Sequence, residues 1–433
     1  MDNVILKSLS AENFASFAER ITFTTETDAS KKENLHNTFA EGDMQFNKVS
    51  FLYGANGSGK TFFCKILREI QRYLALSPLS IAADNAQFLS TPQFKGLDAP
   101  VKPFAFNVCA KERPTTFGID IVISKTVYHY EFSILGKQVV YELLTKKYRR
   151  TETLIKRTSS TYKDISLRSE LKGFEAMKQT VKPEALCLPI AAMLNNTLAS
   201  QLNNAIRGIQ VVNMTAGRLN PINPKKTFSK DRIEKYIRII QKADPTIRNI
   251  EVSLSEEEVA HQKIETDDFE NREIIATKTT VGIDTKHAVF DCGEEHGNQT
   301  PITFFSEESL GTVKLFTVLP YLYDVLETGG VLVIDEIENG LHLSLAKEII
   351  DLFTNEESNP KHAQLVCTSH QPLLLDGDYR RDQVWVAVKD SFGRSELRRL
   401  SELQTPRAKV NLVAQILKGA FGCNPNLFFD NNT

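Results

Sequence analysis

A glycine-rich segment near the N-terminus has the residue types and the spacing of a phosphate-binding loop. Residues 54–61 read Gly-Ala-Asn-Gly-Ser-Gly-Lys-Thr, the pattern G-x-x-x-x-G-K-T, and they directly follow the apolar run Val49 to Tyr53. Glycines let such a loop curl so that its backbone N–H groups converge on a phosphate, and the helix that follows adds its positive N-terminal end. Lys60 is expected to reach the β- and γ-phosphates, and the Thr61 hydroxyl to ligate Mg²⁺. The residues predicted to bind the nucleotide here are Asn56, Gly57, Ser58, Gly59, Lys60 and Thr61.

Two adjacent carboxylates end a later apolar segment. Gly330-Val-Leu-Val-Ile is followed by Asp335 and Glu336. A stiff buried strand would present Asp335 to Mg²⁺ through a water and Glu336 to the attacking water as a general base. An apolar strand that ends in acids is common in itself. Its presence downstream of a phosphate loop favours a nucleotide site.

A histidine follows the next predicted strand, Gln364 to Cys367. The C-terminal ends of parallel strands meet at one sheet edge, so the His370 imidazole would hydrogen-bond the γ-phosphate or hold the water. A lone histidine is usually structural. Its place beside the two carboxylates favours a functional role.

A run of small and hydroxyl residues precedes a predicted helix that starts at about Ser309. Ser309 or Thr312 would serve as an ordinary N-cap. A helix N-terminus is also an anion site, and the phosphate loop does not need this one for its own nucleotide. We therefore also expect that it serves the nucleotide of a neighbouring subunit.

The elements around these motifs predict an α/β fold. A meander of antiparallel strands covers 116–144, helix is expected from about Thr151 to Ile240, and the acidic run 256–273 is expected to be a loop. Beyond Ser309, helices alternate with the strands 331–334 and 364–367. That alternation is typical of a parallel sheet covered by helices.

Composition narrows the class of protein. The chain has 433 residues and a formal net charge of -2, so any nucleic-acid contact must come from a local patch. The basic run Lys146 to Arg150 is such a patch, although solvated surface is the favoured interpretation. We expect no leader, no membrane segment and a cytoplasmic location. Six scattered cysteines without a C-x-x-C pair indicate reduced thiols, and Cys292 with His296 is interpreted as coincidence rather than half a metal site.

The order of the motifs resembles that of the ABC-type ATPases of the RecF and SMC class. Within that class it is similar to the AAA-labelled ATP-binding proteins of bacterial abortive-infection and other antiphage systems. The departures are Ser-Leu-Gly-Thr without paired glycines, Leu343 where proline is common, and Ala420 where arginine is frequent. The matching segments are Asn13-Phe-Ala-Ser-Phe17, residues 54–61, Glu308-Ser-Leu-Gly-Thr312, Asp335-Glu-Ile-Glu-Asn-Gly-Leu-His342, Thr368-Ser-His370 and the tail Lys418 to Pro425.

The resemblance implies an ABC-type P-loop ATPase fold with a mixed sheet, an antiparallel lobe and a compact helical insertion. Residues 1–150 would form the N-terminal half of the ATPase head, 151–245 the insertion and 246–433 the C-terminal half. Ser309 and Gly311 would cap the γ-phosphate across a head-to-tail dimer. The glutamine-bearing loop of the family stays unassigned among Gln87, Gln93 and Gln138.

The function implied is an ATP- and Mg²⁺-dependent hydrolase that dimerises, or forms a higher even oligomer, and controls a separate effector protein such as a nuclease or toxin. No nuclease domain and no membrane partner are expected. The alternative is a DNA-binding ATPase of DNA repair or chromosome maintenance, in which Lys146 to Arg150 would grip the phosphate backbone. A third class, a binding module without turnover, is disfavoured by the pair Asp335 and Glu336.

Overall fold

The computed structural model of the chain describes residues 3–30, 33–82, 99–171, 174–215, 224–264, 272–403, 412–419 and 421–422. Internal contacts divide the chain into two units. Unit 1 comprises residues 1–215, 325–338 and 346–433, and unit 2 comprises 216–324 and 339–345. No helix in the described part of the chain is long and apolar enough to cross a membrane.

The strands and α-helices are numbered in chain order. The strands are β1 Val4–Glu12, β2 Ile21–Thr24, β3 Thr38–Glu41, β4 Met44–Asn47, β5 Val49–Tyr53, β6 Thr115–Ile123, β7 Thr126–Leu135, β8 Gln138–Lys147, β9 Thr151–Arg157, β10 Ile165–Leu167, β11 Gln210–Asn213, β12 Ile247–Ile264, β13 Arg272–Asp291, β14 Glu294–Thr303, β15 Val331–Asp335, β16 Gln364–Ser369, β17 Val384–Lys389 and β18 Ser395–Arg399. The helices are α1 Lys60–Ala82, α2 Cys187–Met193, α3 Thr197–Arg207, α4 Pro224–Thr227, α5 Lys230–Ala243, α6 Phe304–Glu307, α7 Leu310–Thr328, α8 Leu343–Thr354 and α9 Leu412–Leu417.

Unit 1 contains a six-stranded sheet with the order β11-β15-β16-β5-β17-β18. All neighbouring strands are parallel except β17 and β18. Every residue of β5, β15 and β16 is buried, as expected for parallel strands that are covered on both faces. The sheet therefore brings the ends of β5, β15 and β16 to one edge, and it confirms the predicted α/β fold with a parallel sheet.

A second sheet of unit 1 is antiparallel, with the order β10-β9-β8-β7-β6-β1-β2. It contains the predicted meander, and alternate residues of β6 and β7 such as Phe117, Ile119 and Phe132 are buried in an apolar core of unit 1. α1 contributes Phe63 and Leu67 to the same core. The antiparallel lobe of the prediction is thus confirmed.

The expectation of helix from about Thr151 to Ile240 is wrong over Thr151–Arg157, Ile165–Leu167 and Gln210–Asn213, which are strands β9, β10 and β11. The residues of β9 pair with β8 from Lys147↔Thr151 to Glu142↔Arg157. The β-branched residues Thr151, Thr153 and Ile155 favour an extended chain, and β8 offers them a partner three residues away. Helices α2, α3 and α5 do lie within 151–245, and the boundaries of the three predicted domains stay a prediction.

Unit 2 contains the three-stranded antiparallel sheet β12-β13-β14. The loop expected over 256–273 is wrong for 256–264 and 272–273, which belong to β12 and β13 and pair as far as Ile264↔Arg272. The rest of the expected loop, 265–271, lies outside the described residues. Acidic composition alone misled the prediction, because the pairing of a long hairpin satisfies the backbone whatever its side chains are. Aromatic packing joins α5 to α7, where Tyr236 meets the Phe316 ring edge-on at 5.9 Å.

Candidate functional site

Residues 54–59 form a tight loop between β5 and α1 in unit 1. Gly57 and Gly59 have φ of 79° and 112°, a region that L side chains rarely adopt. A Cβ on Gly59 would lie 2.8 Å from Ser395 Oγ and 3.0 Å from Ser16 Oγ. The loop thus needs glycine at this position both for its backbone and for its close approach to neighbouring hydroxyls.

Lys60 folds back over the loop that precedes it. Its ammonium donates to the carbonyl oxygens of Gly54 at 2.7 Å and Ala55 at 2.9 Å. Burial lowers the pKa of Lys60, and the opposing attraction of the nearby carboxylates, Glu336 first among them, is weaker. An anion placed on the loop would supply the countercharge that this buried ammonium lacks.

The loop also fits a bound phosphate on a second observation. Ser58 is almost fully buried, and its Oγ has no hydrogen-bond partner among the described residues. Buried hydroxyls are normally paired, so this one is available to a ligand oxygen. Thr61 stands in the first turn of α1, half-buried, one residue after Lys60. The chemistry of this donor set, a hydroxyl followed by a carboxylate across the sheet edge, suits Mg²⁺.

Asp335, at the end of β15, is held by neighbours on both sides of its strand. Thr368 on β16 donates its hydroxyl to Asp335 Oδ1 at 2.8 Å, and Asn213 on β11 donates its amide to Oδ2 at 3.1 Å. The side chain is buried. These two hydrogen bonds fix the carboxylate at the edge of the sheet where β5 ends and the phosphate loop begins.

Glu336 directly follows Asp335 but turns away from the strand. Its φ is 56°, in the left-handed region, and its N–H donates to the same Thr368 hydroxyl at 2.8 Å. Thr215 donates its hydroxyl to Glu336 Oε2 at 3.3 Å. A half-buried carboxylate is therefore aimed by a backbone conformation that few residues other than glycine adopt.

His370 is paired with Glu338 rather than with Glu336. Glu338 Oε1 accepts from the His370 backbone N–H at 2.7 Å and lies 3.0 Å from its Nδ1. A carboxylate can only accept, so this contact places a proton on Nδ1. Glu338 Oε2 is buried and has no hydrogen-bond partner among the described residues.

The structure thus brings together most of the predicted site residues and adds four more. Asn213, Thr215, Thr368 and Glu338 were not assigned roles at the site from sequence. Thr368 and Glu338 lie within the segments Thr368-Ser-His370 and Asp335 to His342 that carry the family resemblance, but only their neighbours Asp335, Glu336 and His370 were predicted to act in catalysis or metal binding. For Asn213 the only signal was the short β-branched run Gln210-Val-Val-Asn213.

Ser309 and Gly311 lie in unit 2, at the start of α7. Ser309 Oγ accepts from the Thr312 N–H at 3.1 Å, so Ser309 acts as an N-cap. A Cβ on Gly311 would lie 3.3 Å from the Gly340 carbonyl oxygen, which leaves little room for a larger residue. Ser309 and the adjacent Leu310 are exposed, and the turn is accessible on its outer side.

Several other predicted features are only partly described. Gln87, Gln93, Ala420 and the end of the tail, 423–425, lie outside the described residues, and Gln138 is exposed at the start of β8. Among the described cysteines, Cys64, Cys187 and Cys367 are buried and Cys109 and Cys292 exposed, all as free thiols. The described residues contain no group of three or more His, Cys, Asp or Glu side chains placed to hold a metal ion.

Comparisons with known proteins identify relatives of this chain. The family model described as "AAA domain, putative AbiEii toxin, Type IV TA system" matches residues 49–176 and 224–376, more than half of the chain. None of the curated proteins compared with the chain matches it.

Similar solved structures include an SMC head domain from Thermotoga maritima, with 10% identity and a TM-score of 0.37 over 93% of this chain and 100% of that one. Another is the Smc head domain with an extended coiled coil, bound to the C-terminal domain of ScpA, derived from Pyrococcus furiosus. It has 11% identity and a TM-score of 0.39 over 91% of this chain and 96% of that one.

Proposed function

The chain belongs to the family described as "AAA domain, putative AbiEii toxin, Type IV TA system". From this we propose that it binds and hydrolyses ATP as the switch of a bacterial antiphage system. One observation carries the proposal. The phosphate loop, the carboxylates of Asp335 and Glu336, and His370 lie at the C-terminal ends of three adjacent parallel strands, β5, β15 and β16, of one sheet. Ligands of open α/β sheets bind at that edge.

Binding begins at the phosphate loop. The N–H groups of 56–59 and the Lys60 ammonium hold the β- and γ-phosphates, and Lys60 exchanges the carbonyls of Gly54 and Ala55 for phosphate oxygens. Thr61 and Asp335 would hold Mg²⁺, which neutralises the charge on the phosphate oxygens when it is bound. Asn213 and Thr368 keep Asp335 in place for that role.

Hydrolysis is assigned to Glu336 with help from His370. The Glu336 carboxylate takes a proton from the attacking water as the water oxygen bonds to the γ-phosphorus and the bond from phosphorus to the ADP oxygen breaks. His370, whose Nδ1–H is held by Glu338, presents Nε2 to the site; as a neutral imidazole it accepts from the attacking water, and as an imidazolium it donates to a γ-phosphate oxygen. The products are ADP and inorganic phosphate.

ATP is also proposed to join two copies of the chain. The exposed turn of Ser309 and Gly311 is a helix N-terminus, and in a head-to-tail dimer it would cap the γ-phosphate of the other copy. Closure around two ATP molecules and reopening after hydrolysis would switch the effector.

Light scattering with and without ATP and Mg²⁺ tests both parts of this proposal. Wild type and Glu336→Gln are compared, with the exposed Glu357→Gln as the matched control. We expect Glu336→Gln to bind ATP, to lose at least about a hundredfold in phosphate release and to persist at twice the monomer mass. A monomer mass with ATP bound would exclude the dimer, and unchanged turnover in Glu336→Gln would exclude its role as base.

The toxic step is assigned to a separate protein. The described residues outside the ATP site hold no cluster of metal-ligating carboxylates suited to a nuclease. We expect purified protein to leave DNA and RNA intact with and without ATP. Cleavage by the purified chain that persists in Lys60→Ala would contradict this assignment.

A second candidate function, nucleic-acid binding, is favoured by one cavity of about 360 Å³ in unit 1. Tyr148 and Arg149 line it, with the arginine 5.9 Å above the tyrosine ring. Lys146, however, is engaged by Glu170 at 2.5 Å and Glu152 at 3.4 Å, which reduces the local positive charge. Binding to DNA that weakens steeply with salt and is lost in Arg149→Ala would favour this candidate.

A further inference from the structure

Three exposed apolar side chains of unit 1 stand on two segments that no motif explains. Phe106 and Val108 lie between α1 and β6, with 64% and 94% of their surface exposed, and Phe392 lies in the turn between β17 and β18, with 71% exposed. Exposed aromatic rings that lie together indicate a binding surface. Their position relative to the phosphate loop decides what that surface would bind.

One chain of contacts ties Phe106 to the phosphate loop through β18. Ser395 Oγ lies 2.8 Å from the position of a Cβ on Gly59, and Ser395 pairs directly across the hairpin with Lys389. Directly paired residues of antiparallel strands place their side chains on the same face, about 5 Å apart. The Lys389 ammonium lies 5.2 Å from the centre of the Phe106 ring. Phe106 therefore stands on the face of the hairpin that meets the loop.

A second chain of contacts reaches the same ring from the other side. Ser16 Oγ lies 3.0 Å from the same Gly59 position, and the neighbouring Ala15 accepts from the Ala105 N–H at 3.2 Å. Phe106 is the next residue. Two independent chains of contacts thus connect the Phe106 ring to Gly59, one through Ser395 and Lys389 and one through Ser16 and Ala15.

Contacts with neighbouring residues hold the Phe106 ring in place, which suits a stacking surface. Phe106 packs edge-on against the buried Phe104, with ring centres 5.7 Å apart. It also lies so close to Gly393 that a Cβ there would come within 2.6 Å of the ring. The turn itself is ordered by Asp390, which accepts from the N–H groups of Phe392 and Arg394 and pairs with the Arg394 guanidinium at 2.7 Å.

Two cationic side chains lie beside the rings. Lys389 lies over Phe106, and Arg394 lies 5.1 Å from the centre of the Phe392 ring. The one carboxylate of the turn, Asp390, is engaged by Arg394. A purine is flat, apolar on its faces and rich in acceptor nitrogens at its edge, so it matches an aromatic face flanked by cationic donors.

We propose that Phe106, with Lys389 and the β17–β18 turn, forms the subsite for the adenine base of the ATP whose phosphates the loop holds. The inference rests on the proposed ATP binding and adds the residues that recognise the base. The base stacks on Phe106, while Lys389 donates to a ring nitrogen. Phe392 and Arg394 close the outer side. Docking of a partner protein on these rings is the competing explanation.

Binding of ATP and of inorganic tripolyphosphate, both with Mg²⁺, tests the subsite, because tripolyphosphate occupies the loop and lacks a base. Stacking of a base on an aromatic ring is worth about 1–3 kcal/mol. Phe106→Ala should therefore weaken ATP binding by about five- to 150-fold and leave the Kd of tripolyphosphate within twofold. Phe106→Trp should restore ATP binding. The exposed Phe290→Ala of unit 2 is the matched control and should change neither Kd.

Each other outcome has a distinct meaning. If wild type binds ATP and Phe106→Ala binds it equally well, the subsite is wrong, the proposed function stands and the rings are left for a protein partner. If Phe106→Ala weakens both ligands equally, the ring supports the loop and the subsite is again wrong. If neither ligand binds wild type, both proposals fail.

Photolabelling of wild type with 8-azido-ATP gives an answer that does not depend on a variant. Label in peptides covering 99–112 or 389–395 supports the subsite. Label confined to other peptides overturns it.

Discussion

Lys60 carries its charge in a buried setting, and this predicts how ATP binding depends on pH. Burial lowers the pKa of Lys60 below the ordinary value of 10.5, so the ammonium deprotonates at a lower pH than a solvated lysine. The affinity for ATP should therefore start to fall with rising pH below 10.5. Folding stability should change in the opposite direction, because the fold disfavours the charged form and gains as the proton is lost.

Calorimetry of ATP binding in buffers of different ionisation enthalpy measures this effect as proton uptake at alkaline pH. Lys60→Arg is the matched control, since guanidinium keeps its proton throughout the range. Its affinity should be lower than that of wild type but independent of pH. An affinity of wild type that stays constant up to pH 10.5 would contradict the argument.

Glu338 acts through His370 and is predicted to be a positioning residue. It holds both the backbone N–H and Nδ1 of the histidine, at 2.7 and 3.0 Å. Glu338→Gln keeps the size but lets the amide turn a donor toward Nδ1, which reverses the preferred tautomer. We expect kcat to fall by about ten- to a hundredfold with KM within twofold, as for a small misplacement of a catalytic group.

The split between kcat and KM, read beside the melting temperature, separates positioning from simple destabilisation. A residue with only a structural role would lower the melting temperature and leave the kcat of the folded enzyme unchanged. Glu338→Gln should lower the kcat of the folded enzyme, and Glu357→Gln should not. If KM rises while kcat stays the same, Glu338 does not position the histidine.

Among the elements, β9 shows how a buried charge stabilises the antiparallel sheet. Arg157, at its end, is fully buried and donates to four backbone carbonyls, those of Ser159, Ser160, Pro183 and Ala185. Arg157→Met would leave these acceptors without donors. We expect a loss of about 3 kcal/mol in the free energy of unfolding.

Urea unfolding of the two variants Arg157→Met and Lys156→Met measures this loss. Lys156 precedes Arg157 on the same strand and is exposed, so its replacement should change stability by no more than about 0.5 kcal/mol. Equal stabilities of the two variants would show that the carbonyls find water instead.

The sequence predicted the elements whose signals are local and missed those that depend on distant partners. β5, β15 and β16 are short apolar runs beside residues with chemical meaning, and the structure confirms these strands. β11 has only four residues, and what makes it a strand is its pairing with β15, where Asn213 faces Asp335 more than 120 residues later. The contacts of Glu338 with the backbone N–H and Nδ1 of His370 also depend on tertiary structure, and no spacing in the sequence predicts them.

For the whole molecule, the family model confirms the resemblance to AAA-labelled ATP-binding proteins, while the antiphage role and the dimer stay predictions. The dimer predicts a particular pattern of amide exchange. In Glu336→Gln with ATP and Mg²⁺, exchange should slow in peptides covering 54–61 and 331–338. It should also slow at the exposed turn 309–312, because the second copy covers it.

Hydrogen–deuterium exchange at concentrations above and below the dimer dissociation constant checks this pattern. The hairpin of β3 and β4 serves as the internal control, since it has no part in the proposed site. Slowed exchange at 309–312 that does not depend on protein concentration would contradict a contact in trans. A doubled mass without slowing at 309–312 would place the dimer contact elsewhere.

The left-handed backbone of Glu336 has a consequence for how such a chain can evolve. A glutamate in this conformation costs about 1–2 kcal/mol relative to glycine, which adopts it freely. A single change to glycine would therefore make the chain sturdier while it removes the proposed base. A lineage that keeps the glutamate forgoes this gain in stability for the sake of hydrolysis. A lineage in which the ATPase has become a permanent clamp should carry glycine or asparagine at this position.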